Sequence, residues 1–107
     1  MIGILIIAHA PLANALRECA LHVFPDCASG VWALDVLPHE APEQSLAKAY
    51  EAIRALGTEE VLLLSDVFGA TPCNVAQQLN DGVRTRLVAG INLPMLLRSV
   101  CYRHESL

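Results

Sequence analysis

Charge and aromatic side chains are both scarce in this sequence. Asp, Glu, Lys and Arg supply 17% of its 107 residues, and Phe, Trp and Tyr only 5%. So little charge beside 54% hydrophobic residues excludes a disordered segment and suits strands that are covered on both faces. Cations are the scarcest charges. The seven, Arg17, Lys48, Arg54, Arg84, Arg86, Arg98 and Arg103, are scattered along the chain, and the formal net charge is -4. With no basic stripe, neither nucleic acid nor an anionic membrane surface is an expected partner.

Several chemical signatures are missing as well. The four cysteines, Cys19, Cys27, Cys73 and Cys101, form no C-x-x-C pair and stand at no zinc-like spacing to histidine, so reduced thiols and no metal are expected. Neither G-x-x-x-x-G-K-[ST] nor G-x-G-x-x-G occurs, which leaves binding of a free nucleotide unsupported, and the absence of G-x-S-x-G removes the hydrolase elbow. No apolar run approaches the roughly 20 residues needed to cross a bilayer. The stretch Ile2 to Ala8 imitates a secretory leader, but no basic residue precedes it, Arg17 being the first. A cytoplasmic protein without membrane insertion is the expectation.

Strand-like and helix-like segments alternate along the length of one ordinary domain. "IGILIIA" is a β-branched run, and the helical "PLANALRECALHVF" after it sets Leu12, Leu16, Cys19 and Val23 on one face. "VWALDV" is a second strand. "PEQSLAKAYEAIRALG" places Leu46, Ala49, Ile53 and Leu56 on one helical face and stops at Gly57. "EEVLLLSDV" is a third strand, followed by "GATPCNVAQQLNDG", with Thr71 as N-cap and Pro72 at the first helical position. "RLVAGI" and "LPMLLRSVCYRH" complete four β-α repeats. The expected fold is α/β, a doubly wound parallel four-stranded sheet in the order 2-1-3-4 with helices on both faces.

In that order the sheet changes its direction of growth between strands one and three, and a crevice opens beyond their carboxyl ends. His9 ends strand one and Asp66 ends strand three, so two residues distant in sequence should meet there. A carboxylate that accepts one ring N–H fixes the imidazole tautomer and leaves the other nitrogen nucleophilic. Two helix N-termini, one after Ala10 and Pro11 and one at Thr71 and Pro72, should flank the crevice with free backbone N–H groups. A phosphoryl group on His9 is the anion these donors would satisfy. Cys73, in the first turn of a helix, offers a rival Cys-His nucleophile pair. His39 follows strand two at the same sheet edge, while His22 and His104 read as surface residues.

Three blocks, "GILIIAHAPLANAL", "VLLLSDVFGATPCNVA" and "VAGINLPMLLR", resemble the IIA component of the mannose/fructose/sorbose class of the bacterial phosphoenolpyruvate-dependent sugar phosphotransferase system. They cover about a third of the chain, in matching order. The resemblance implies that His9 takes a phosphoryl group from phosphorylated HPr and passes it to a IIB domain for sugar uptake and phosphorylation. It implies further that Asp66 orients the histidine, and that Ala10, Gly69, Ala70 and Thr71 bind the phosphate. A homodimer and no organic cofactor or metal are also implied. Ala10 and Pro11 replace the glycine-led turn usual in the family, and Ala70 stands where a second glycine is common. Relatives usually continue through a further strand and helix beyond the equivalent of Leu107, so residues 1–107 are expected to be a single IIA-like domain lacking them. A regulatory, phospho-dependent binding module and the phosphocarrier subunit of a dihydroxyacetone kinase are the alternative functions for the same residues.

Overall fold

The computed structural model describes residues 1–67 and 70–105. Its elements run β1 (Gly3–His9), α1 (Leu12–Val23), β2 (Val31–Val36), α2 (Pro42–Leu56), β3 (Val61–Ser65), α3 (Thr71–Leu79), β4 (Thr85–Val88) and α4 (Leu93–Cys101), with a 3-10 turn at Pro25–Cys27. The four strands form one sheet in the order β2-β1-β3-β4, and every pair is parallel, as the alternation of segments requires.

Burial on both faces explains why β1 reads as an unbroken apolar run. Ile4, Ile6 and Ala8 join the core beneath α1 and α4, whereas Leu5 and Ile7 join the core beneath α2 and α3. All five are fully buried. The alternation of strand side chains therefore sends hydrophobic groups into two separate layers. α2 stops at Gly57, whose φ of 63° is the left-handed conformation that glycine adopts at least cost. At the far end of the sheet, Arg103 ties the chain termini together: its Nε donates to the Ile2 carbonyl at 2.8 Å, and its own carbonyl accepts from Ile2 N–H at 2.8 Å.

The helices depart from the expected faces in detail. α1 buries Ala13, Leu16 and Ala20, while Leu12 and Val23 are 38% and 54% exposed and Cys19 is exposed too. Small alanines on either side of Leu16 let the helix approach the sheet closely, and the long side chains Ile4, Ile6 and Val31 fill that layer from below. Likewise α2 buries Ser45 and Ala52 together with Ala49 and Leu56, leaving Leu46 and Ile53 partly buried at the margin. Ser45 is tolerated inside because its hydroxyl donates to the Glu40 carboxylate, which also receives Lys48.

β4 is shorter than "RLVAGI" suggests, because the chain turns at Gly90, φ 77°, and folds back over the end of β3. Gly90 N–H donates to the Asp66 carbonyl at 2.7 Å and Ile91 N–H to the Ser65 carbonyl at 2.9 Å. Asn92 then caps α4, its side chain accepting from Met95 N–H at 2.9 Å. The third of the quoted sequence blocks thus clamps the backbone that carries Asp66.

Candidate functional site

The register sets where the functional side chains arrive. Ala8 lies opposite Asp35 and His9 opposite Val36 on β2, while Ile7 lies opposite Ser65 on β3, one residue before Asp66. His9 follows the alternation of Leu5 and Ile7, so it belongs to the α2 and α3 face of the sheet. His9 and Asp66 do converge at the carboxyl ends of β1 and β3. The His9 Nδ1 stands 2.7 Å from Asp66 Oδ2, and the His9 backbone N–H donates to the same oxygen at 3.0 Å. The second carboxylate oxygen accepts from Val67 N–H at 2.8 Å.

This arrangement fixes the chemistry of both groups. Burial by itself would raise the Asp66 pKa, but hydrogen bonds from the His9 amide, the His9 ring and the Val67 amide together outweigh it and hold the carboxyl below its ordinary value. An ionised carboxylate only accepts, so the proton it receives sits on Nδ1 and Nε2 keeps its lone pair. The Asp66 side chain is 8% exposed and the His9 side chain 53%. A buried acid therefore aims an open nucleophilic nitrogen at solvent.

A pH dependence follows from the depressed Asp66 pKa. The stabilisation from its hydrogen bonds is complete above the unfolded value near 3.8 and is lost as pH falls through the lower folded value. Urea midpoints measured between pH 7 and 2 should therefore fall more steeply below pH 4 for the wild type than for Asp66→Asn. Parallel curves would contradict the assignment.

The two helix N-termini do not serve the site equally. At α1 the N-cap is Pro11, which has no side-chain oxygen, and Asp35 of β2 fills that role. Asp35 Oδ1 accepts from Ala13 N–H at 3.0 Å and Asn14 N–H at 3.3 Å, and Oδ2 accepts from Asn14 Nδ2 at 2.6 Å. Ala10 N–H is also engaged, donating to the Val36 carbonyl at 3.0 Å. Two of the donors expected to be free at this helix, the Ala13 and Asn14 amides, are occupied, because the neighbouring strand brings a carboxylate to them.

At α3 the N-cap is Ala70 rather than Thr71, and it supplies no side-chain hydrogen bond. Thr71 is the first helical residue, exposed, and its hydroxyl makes no hydrogen bond to another described residue. Ala70 N–H reaches the Val67 carbonyl at 3.3 Å. Gly69 lies outside the described residues. Cys73 is fully buried in the first turn of α3, which removes its thiol from contact with substrate. His39 is exposed beside Leu37, Pro38, Glu40 and Gln44.

The His9 side chain is about half exposed. Two cavities of about 710 Å³ each lie elsewhere, one against β4 and α4 with Leu62, Val88 and Met95, the other around Phe24, Cys27 and Arg103. No group of three His, Cys, Asp or Glu side chains able to hold a metal occurs among the described residues. No helix among them is long and apolar enough to cross a membrane. Sequence reasoning missed Asp35 and Asn92 as caps; a carboxylate one residue before the end of "VWALDV" was the available signal for the first.

Comparison with known proteins agrees with this fold. The family model described as EIIA-man, PTS system fructose IIA component, matches residues 3–107. The PTS system fructose-specific EIIA component of Bacillus subtilis is 31% identical over 107 residues, covering 98% of this chain and 73% of that protein. The PTS system sorbose-specific EIIA component of Lacticaseibacillus casei is 30% identical over 95 residues, covering 88% and 68% respectively. Among solved structures, the phosphotransferase system component EIIA of Streptococcus agalactiae superposes with a TM-score of 0.83 at 23% identity, covering 97% of this chain and 80% of that one.

Proposed function

Because this chain belongs to the EIIA-man family, the IIA components of the mannose/fructose/sorbose class of the phosphotransferase system, we propose that it is a phosphocarrier acting through His9. The observation that carries the proposal is the 2.7 Å contact between His9 Nδ1 and Asp66 Oδ2. In this reading the Nε2 lone pair attacks the phosphorus of phosphohistidine on HPr, in line with the donor nitrogen. The donor P–N bond breaks, its electron pair returns to the donor ring, and a new P–N bond forms on His9. A second transfer of the same kind delivers the phosphoryl group to a IIB domain.

One P–N bond replaces another, so the reaction is nearly isoenergetic and the protein contributes position and charge. Asp66 holds the ring and compensates the positive charge that develops on it once Nε2 bonds to phosphorus. Thr71 and Ala70 at the start of α3, with Gly69 before them in the sequence, are the proposed phosphate neighbours, since that helix end carries no side-chain cap. An imidazole that is 53% exposed suits a donor attached to another protein, which has to approach across an open surface. The cytoplasmic location and the homodimer implied by the resemblance belong to the same reading.

Incubation with phosphoenolpyruvate, enzyme I and HPr tests it. One acid-labile phosphate should appear per chain and vanish in His9→Ala. Label that persists in that variant would defeat the assignment.

A further inference from the structure

The carboxylate at the start of α1 has no part in the transfer described above, yet it sits beside the reacting strand. Its two acceptor contacts fall on the second and third residues of the helix, the N–H groups an N-cap normally satisfies. Asn14 grips its other oxygen. Asp35 and His9 come from adjacent strands, with Asp35 opposite Ala8. Neighbouring parallel strands lie about 4.8 Å apart, and with the reach of two side chains that leave opposite faces the carboxylate and the imidazole are separated by roughly 10 Å.

We propose that Asp35 is a positioning residue that keeps the phosphoryl group on His9 transferable. The inference rests on the carrier reading. Asp35 does this in two ways. It occupies the Ala13 and Asn14 amides of α1, so that these two donors are withheld from an anion on His9. It also adds a fixed negative charge near a dianionic phosphoryl group, which raises the free energy of the loaded state relative to the empty one. A carrier bound for onward transfer gains from such a charge, because an anion held by two helix ends would be released slowly.

Asp35→Asn separates charge from structure. Its amide oxygen can still accept from Ala13 and Asn14, and the Asn14 side chain can turn its own oxygen toward the new NH2 group. Mixed with phosphorylated HPr at low salt, the variant should shift the phosphoryl equilibrium toward the carrier by about 3- to 10-fold, the scale set by charges about 10 Å apart in partly wet protein. The shift should shrink in 1 M salt. Its melting temperature should stay near wild type, whereas Asp35→Ala should lower it by uncapping α1.

A second measurement does not depend on HPr. Phosphoramidate can load His9 chemically, its P–N bond breaking with departure of ammonia as the Nε2–P bond forms. The loaded Asp35→Asn should then hydrolyse several-fold more slowly than the loaded wild type. Equal equilibria and equal lifetimes for the two would overturn the proposal, and so would an Asp35→Asn chain that fails to fold. Loading by phosphoramidate but never by HPr would overturn the carrier reading alone.

Discussion

Replacing Asp66 by asparagine is expected to slow phosphorylation of His9 by as much as about 10⁴-fold, the size of loss seen when a catalytic histidine is deprived of its orienting carboxylate. The reason lies in how the three hydrogen bonds are shared. One carboxylate oxygen accepts from the His9 amide and from Nδ1, and the other accepts from Val67 N–H. Asparagine has only one acceptor oxygen. If that oxygen faces His9, the NH2 group meets the Val67 N–H and one bond is lost. If it faces Val67, the NH2 group meets two positions that were donors, and Nδ1 must become an acceptor. The proton then moves to Nε2 and the nucleophile is gone. In either orientation no charge remains to balance the phosphorylated ring. Rapid-quench kinetics with phosphorylated HPr check this, and a rate within about 3-fold of wild type would remove the role assigned to Asp66.

Leu5→Ala should be the most damaging single change to the scaffold, lowering stability by about 3–4 kcal/mol. Leu5 is fully buried at the middle of the central strand, paired with Trp32 on one side and Leu63 on the other. Its side chain enters the layer under α2 and α3 with Ile7, Val75 and Ala76, where strands and helices are held rigidly and a vacated volume closes only in part. A domain of this size has about 5–15 kcal/mol in total, so the variant should be marginal at 37 °C. Urea unfolding is the measurement, with a lower midpoint and an unchanged slope. A loss below about 1 kcal/mol would mean that this layer repacks far more freely than its burial implies.

Much of this is legible in the sequence. The order of apolar runs and helical patterns fixes a parallel sheet, and right-handed crossovers leave few strand orders, so the meeting of His9 and Asp66 follows from strand ends alone. The detail that escaped shares one physical origin: it depends on neighbours that are not neighbours in sequence. Which stripe of α1 is buried was decided by the size of Ile4, Ile6 and Val31 beneath it, not by the spacing of Leu12, Leu16, Cys19 and Val23. Asp35 caps α1 across 22 residues of chain, and no periodicity within "VWALDV" announces which helix end its carboxylate will meet. Ala10 offers its N–H to Val36 because β1 continues pairing through its last residue. Thr71 reads as a cap from its hydroxyl, yet the chain enters α3 one residue earlier, leaving that hydroxyl exposed at the first helical position.

Nitrogen-15 NMR of the His9 ring, before and after phosphorylation, reads which nitrogen carries the proton and which the phosphorus. The empty protein should show the proton on Nδ1, and the loaded protein should show phosphorus bonded to Nε2. A proton on Nε2 in the empty state, or a phosphoryl group on Nδ1, would contradict attack through Nε2.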